Sequence, residues 1–220
     1  MRSEPGRRAA IMALLLWPSL ALADQTISEA ERRLFLDPHL ANLEAPATLR
    51  YRYAKTGTFE EGFEDQVRVI LQPSGAGTHA HVEYLTGARA LPLPDVDAAV
   101  GNPVILSFLE RDVREMQRIT GGQAGYFRKR VRLALANEAQ VTPIRLELSG
   151  HDISAVLIVV QPYAQDPMRA RFPRYVRKTY SFTLSPEVPG MLYEMRTLTP
   201  DATGAAPLIE ERLTYTAAER

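Results

Sequence analysis

The residues best suited to chemistry cluster at a few places in the sequence. His79, His81 and Glu83 alternate along a predicted strand, so two imidazoles and a carboxylate share one face, a donor set that suits a divalent metal. On a straight strand the first and last of these residues lie about 13 Å apart, too far to share one ion without a bulge. The favoured interpretation is the polar face of a strand, with metal binding as the alternative.

Two further motifs predict turns. Ser149, His151 and Asp152 are the residue types of a hydrolase triad, but such close neighbours cannot orient one another, and they fit a hairpin turn. Gly121 and Gly122 lack the Lys-Ser/Thr of a phosphate loop and fit a helix stop. Cysteine is absent, which excludes thiol catalysis and thiolate metal sites. We expect a protein that is not an enzyme and binds no cofactor.

Basic residues concentrate in two runs. One comprises Arg128, Lys129, Arg130 and Arg132 on a predicted helix, and the other spans residues 169–178. Facing each other across a groove, they would form an anion site; solvated faces are the alternative. The formal net charge of the chain is zero, which argues against a nucleic-acid partner.

The first 23 residues have the pattern of a cleavable signal peptide. Arg2, Arg7 and Arg8 precede an apolar stretch over residues 9–22, and Ala21-Leu22-Ala23 supplies the small-x-small cleavage pattern. Loss of three Arg and one Glu from 26 basic and 26 acidic residues leaves a net charge of −2. No second apolar stretch of spanning length follows. We therefore expect a periplasmic protein without a transmembrane anchor, in which residues 24–220 form a single domain.

The first half of the predicted domain joins a strand meander to a helical pair. Ser28 and Glu31 form a capping box that opens a helix over residues 29–35, and strands follow over 49–53, 63–71 and 78–84. Asn102 and Pro103 begin a longer helix, and a second helix covers residues 123–138. Predicted ion pairs on the outer side of the longer helix are Glu110 with Arg114 and Arg111 with Glu115.

The second half returns to the period of strands. They are predicted over 144–148, 153–160, a segment that starts near Arg174, 192–198 and 208–215. Lys178 falls on the same face of its segment as the apolar residues. With no βαβ alternation, this order predicts an α+β domain: a curved, largely antiparallel sheet, or half-barrel, covered by a short N-terminal helix and a central helical pair.

A curved sheet closed by only two helices can leave an apolar cavity. The side chains expected to line it belong to the apolar stripe of the longer helix, to the second helix and to a late strand. They are Ile105, Leu109, Val113, Met116, Phe127, Tyr180 and Phe182. Arg128, Lys129 and Arg132 are the candidate anion-binding residues.

This order of signal, short helix, meander, helical pair and further antiparallel strands resembles the periplasmic lipoprotein carriers of the Lol-type superfamily. The resemblance covers most of the predicted mature chain and implies an unclosed β-barrel whose cavity receives acyl chains. Residues 102–136 also resemble a signature of an uncharacterised exported protein family. No functional residue is carried over from either.

The sequence therefore predicts a non-enzymatic periplasmic protein that binds a lipid or other apolar ligand between sheet and helices. One alternative is an envelope assembly protein that contacts another envelope protein through its basic surface. The other is an unrecognised hydrolase, supported only by common residue types.

Overall fold

The computed structural model describes residues 27–75, 77–202, 204 and 206–220, so the predicted signal peptide lies outside the described residues. Within these residues the sheet has eight strands. They are β1 (Ala47–Thr56), β2 (Phe63–Ser74), β3 (Gly77–Tyr84), β4 (Gln140–Leu148), β5 (His151–Val160), β6 (Thr179–Leu184), β7 (Leu192–Pro200) and β8 (Pro207–Glu219).

The strands pair antiparallel in the order β3-β2-β1-β8-β7-β6-β5-β4. Among the described residues no pairing joins the edge strands β3 and β4, so the curved sheet stays open. The predicted α+β half-barrel is confirmed.

The helices begin and end at the predicted signals. They are α1 (Glu29–Glu31), which continues as a π-helical turn over Arg32–Leu36, α2 (Pro103–Thr120) and α3 (Ala124–Asn137). Ser28 and Glu31 form the capping box, and the Asn102 side chain accepts the Val104 amide at 3.2 Å. Gly121 ends α2 with a φ of 69°, which glycine adopts at no steric cost. None of the helices in the described part of the chain is both long and apolar enough to cross a membrane.

One polar residue fixes the start of α2 to the rest of the domain. The Asn102 amide donates to the Tyr51 hydroxyl at 2.8 Å and to the Gly190 carbonyl at 3.0 Å, while its backbone N–H donates to His39 Nδ1. His39 Nε2 therefore carries the ring proton and donates to the Arg33 carbonyl at 2.7 Å. Burial lowers the pKa of His39, which agrees with this neutral form.

The predicted strand beginning near Arg174 is wrong in its start. Pro173–Tyr175 forms a 3₁₀ turn, and β6 begins only at Thr179. Phe172 and Tyr175 are both buried at this turn, and the Lys178 amide closes it on the Tyr175 carbonyl at 2.9 Å. Packing of two aromatic side chains outweighs the strand pattern here.

Candidate functional site

The helices face each other across an open apolar groove on the side away from the sheet. Residues 106, 109, 110 and 113 form one face of α2, and residues 128, 131, 132 and 135 form one face of α3, both at spacings of three and four residues. Glu31 and Phe35 close the groove from the N-terminal helical segment. We call this 460 Å³ space the helical groove; its lining residues are Glu31, Phe35, Leu106, Leu109, Glu110, Val113, Arg128, Val131, Arg132 and Leu135.

A second apolar space adjoins the helical groove. This loop pocket, of 420 Å³, lies between α2 and the segment 93–103, and Phe35, Leu106 and Glu110 line both spaces. Leu106 is 62% exposed at their junction, and Val96 and Val100 are exposed in the loop pocket. Exposed apolar side chains thus lie on α2 and on the neighbouring loop, and such a patch is typical of a binding site.

Two histidines fasten the loop that walls the loop pocket. His79 Nδ1 lies 2.8 Å from an Asp97 carboxylate oxygen and His79 Nε2 lies 3.2 Å from Asp95, while His81 Nδ1 lies 2.6 Å from Asp95. The loop also pairs with β3 through two backbone hydrogen bonds of 2.9 Å between Ala80 and Val96. Hydrogen bonding to Asp97, together with charge attraction to both carboxylates, raises the pKa of His79. We call this arrangement the histidine clasp.

The predicted metal donors and triad residues are thus placed as follows. Glu83 pairs with Arg68, away from the histidine clasp, and the described residues contain no group of three or more donors able to hold a metal. Ser149 lies in the turn between β4 and β5, where its φ is 52°, and His151 is the first residue of β5. The hairpin-turn interpretation of that segment is confirmed.

The predicted ligand-binding side chains lie mainly on the inner side of α2 and α3. All seven are buried, and only Leu109 and Val113 also line the helical groove. Phe127 packs edge-to-face on Tyr163 and Phe172, with ring centroids 5.9 and 5.8 Å apart, and Tyr163 packs on Tyr180 at 6.3 Å. Aromatic side chains thus occupy the space between α3 and the sheet.

A row of buried polar side chains crosses the inner face of the sheet under α2. Tyr180, Thr197, Glu211 and Lys55 lie in register on β6, β7, β8 and β1. Each position follows the alternation that places its apolar neighbours in the core. We call these four residues the polar row.

The second half of α2 supplies charged partners to this region. Three residues of α2 form buried or part-buried ion pairs with the sheet and the segment that precedes β6. The pairs are Arg111 with Glu211 at 2.6 Å, Glu115 with Lys55 at 2.8 Å, and Asp112 with Lys178. Burial alone would raise the pKa of Glu115, but hydrogen bonds from Arg118 and Lys55 outweigh it and lower that pKa to about 2.

The predicted outer pairs of α2 are therefore only half right. Glu110 and Arg114 approach to 3.5 Å on the exposed side as predicted. Arg111 and Glu115 do not pair with each other. Arg111 pairs with Glu211 on the sheet, and Glu115 pairs with Lys55 on the sheet and with Arg118 on α2. For Arg111, a partner distant in sequence replaces the neighbour one helical turn away.

The predicted anion-binding residues lie on α3, all exposed, and two of them line the helical groove. Arg128 binds both carboxylate oxygens of Glu110 at 2.8 and 2.9 Å. Arg132 also lines the groove, whereas Lys129 does not. Neither Arg132 nor Lys129 has a carboxylate partner among the residues that the structure describes.

Sequence reasoning missed Phe35, Leu106 and the loop from residue 93 as parts of a site. A signal was present for Leu106, because it is an apolar residue of α2 that lies outside the apolar stripe. No comparable signal marked the loop, whose position depends on the distant clasp to β3.

Together the fold and site define an α+β half-barrel protein with an apolar groove in its helical layer. No protein-family model matches the chain, and no curated protein matches its sequence. Among solved structures, a similar chain is the lipoprotein LppX of Mycobacterium tuberculosis, with 10% identity, a TM-score of 0.33, and coverage of 77% of this chain and 84% of that one. This is a weak resemblance of fold.

Proposed function

We propose that this protein is an exported, non-catalytic, periplasmic protein that binds the acyl chain of a lipid in the helical groove. The observation that carries the proposal is the presence of two adjacent, mainly apolar spaces, the groove and the loop pocket, which share Phe35, Leu106 and Glu110, with Leu106 exposed. Burial of apolar surface stabilises a complex by about 25 cal/mol per Å². A flexible hydrocarbon chain can follow such a bent, joined space.

The packing on the inner side of α2 supports the groove as the place for this ligand. Aromatic side chains and the polar row occupy the region under α2 and α3, and a buried acyl chain there would meet charged groups. On the outer side, the lining between the charged rims is leucine, valine and phenylalanine. An apolar ligand therefore meets apolar side chains between these charged residues.

The test is titration of the full chain with a fluorescent fatty acid, alongside native mass spectrometry of protein purified from the cell envelope. Leu106→Glu places a charge at the exposed junction and should weaken probe binding about tenfold or more, equivalent to about 1.4 kcal/mol. Ile27→Glu is the matched control, because Ile27 is also 62% exposed and lies outside both pocket linings. It should leave affinity within about twofold.

Both variants should unfold at the wild-type temperature, since both positions are exposed. A wild-type protein that neither binds the probe nor releases lipid on organic extraction would refute the proposal. Equal loss of binding in the two variants would remove the groove as the site.

A specific observation also favours the alternative of an envelope partner. Lys129 and Arg132 project from α3 without a carboxylate partner in the described part of the chain, as a surface for an acidic protein would require. Pull-down from envelope extracts with wild type and with Lys129→Glu/Arg132→Glu tests it. A partner that both proteins capture equally would argue against this surface.

A further inference from the structure

The two joined apolar spaces differ in charge from one end to the other. At the α3 end of the helical groove the rim carries Arg128 and Arg132. At the far end, the loop pocket is lined by side chains such as Leu93, Val96 and Val100, and Glu110 at the junction is its one charged lining residue. A ligand that fills both spaces meets cations at one end and hydrocarbon at the other.

The acidic residues at the rim are already engaged. Glu110 accepts two hydrogen bonds from Arg128, at 2.8 and 2.9 Å, and lies 3.5 Å from Arg114. Glu31 accepts the Ser28 backbone amide at 3.0 Å as part of the capping box. Of the two arginines at the rim, Arg128 is thus paired with Glu110, and Arg132 is the one without a carboxylate partner among the described residues.

Arg132 is exposed and has no carboxylate partner in the part of the chain that the structure describes. A guanidinium offers a planar set of N–H donors that matches the two oxygens of a carboxylate or phosphate. Its stem can lie along the apolar wall of the groove while its charged end stays in water. The position thus suits an anionic group at the mouth of the groove.

We propose that the ligand is a single-chain anionic amphiphile, whose carboxylate or phosphate head binds Arg132. Its acyl chain runs past Leu106 into the loop pocket. This assignment rests on the proposed function of the groove and adds the class of head group and the direction of the chain. Arg132 is then the residue that selects an anionic over a neutral lipid.

The experiment is displacement of a bound fluorescent fatty acid from the full chain by three amphiphiles of one chain length, at about pH 8, where the carboxylate is ionised. They are palmitate, palmitoyl lysophosphatidate and monopalmitoylglycerol, which is neutral. Free inorganic phosphate is a fourth competitor, and it should displace nothing because it lacks the chain. Palmitate and lysophosphatidate should bind about tenfold more tightly than the neutral lipid.

Arg132→Gln should remove that preference by weakening the two anionic ligands about tenfold while leaving monopalmitoylglycerol within about twofold. Lys129→Gln is the matched control, because Lys129 is also exposed on α3 but lies outside the groove lining. It should change none of the affinities.

The outcomes separate the two proposals. If no amphiphile displaces the probe and none binds directly, the proposed function fails. If all three lipids bind equally, or if Arg132→Gln and Lys129→Gln have the same effect, the groove binds lipid but the assignment of the anionic head to Arg132 is overturned.

Discussion

Replacement of Lys178 by Met tests how firmly the inner side of α2 is fixed to the sheet. Lys178 and Asp112 form an ion pair in which the side chains are 3% and 1% exposed. The Asp112 carboxylate also accepts the Tyr180 hydroxyl, which in turn lies 3.1 Å from the Tyr163 hydroxyl. Met keeps most of the length of Lys but removes the charge, so Asp112 would remain buried without its cation.

Loss of one member of a buried ion pair costs about 3–5 kcal/mol, since the remaining charge is not solvated. We expect Lys178→Met to lower the free energy of unfolding by that amount at neutral pH, as measured by urea denaturation. Removal of both charges in Lys178→Met/Asp112→Leu should recover most of the loss, because well-packed apolar replacements of buried pairs are often neutral. The double variant is thus the control for lost packing.

The pH dependence of the single variant supplies a second, independent readout. Burial raises the pKa of Asp112 above its ordinary value of 3.8, although Lys178 opposes this shift. Without Lys178 the pKa rises further. A carboxyl with a raised folded pKa keeps a proton that the unfolded chain has released, so stability falls as pH rises from the unfolded to the folded pKa.

The deficit of Lys178→Met should therefore be smaller near pH 5 than near pH 7, where a buried anion is forced on the folded state. A deficit below about 1 kcal/mol at pH 7, or a double variant no more stable than the single one, would refute the reasoning.

Two further predictions concern the turn under α2 and the histidine clasp. Gly190 has a φ of 72°, and a Cβ there would lie 2.6 Å from a leucine methyl carbon of β1, so Gly190→Ala should destabilise the protein by about 1–3 kcal/mol in urea denaturation. Gly150→Ala is its control, with a φ of 82° and nothing within 4 Å of the Cβ, and should cost less. The hydrogen bond to Asp97 raises the pKa of His79 above 6.5. The stability that protonated His79 contributes to the clasp is therefore fully present below pH 6.5 and is lost as pH rises through the raised pKa. After correction for intrinsic rates, exchange of the Val96 amide should be faster at alkaline pH, and His79→Gln should abolish that difference; an unchanged pH dependence in the variant would contradict the clasp.

The architecture could be predicted because its signals are local. The alternation of apolar and polar residues on β1 determines which residues face inward. Asn102 followed by Pro103 marks the start of α2, because Asn is favoured at the N-cap and Pro at the first helical position. Gly121 marks its end by the same logic. Each of these signals depends on neighbours within four residues, so no knowledge of the fold was needed.

The polar row could not be assigned in the same way. Lys55 and Glu211 lie two residues from buried apolar side chains of the same strand, so the alternation of each strand places them on its inward face. What compensates their charge depends on the register of β1 and β8 and on the position of α2 above them. The i,i+4 pattern of opposite charges predicted a pair between Arg111 and Glu115 instead, since that pattern considers only residues one helical turn apart.

The site could be predicted in part for a related reason. Leu109 and Val113 were identified from the apolar stripe of α2, and Arg128 and Arg132 from the basic run on α3, and the structure brings all four together in the helical groove. The stripe itself is buried, as the apolar side of an amphipathic helix normally is. The groove also includes Leu106, an exposed apolar residue of α2 that lies next to the stripe but outside it.

The buried charges and the open groove on opposite sides of α2 are linked by geometry. Ion pairs from Arg111, Asp112 and Glu115 hold the second half of the helix against the sheet, and Asn102 holds its first residue. A helix held at its start and in its second half cannot roll to bury Leu106, because rolling would separate buried ion pairs, and an unpaired buried charge is costly. The exposed apolar edge of α2 is thus maintained by the polar interior, and it is the surface that the proposed apolar ligand would cover.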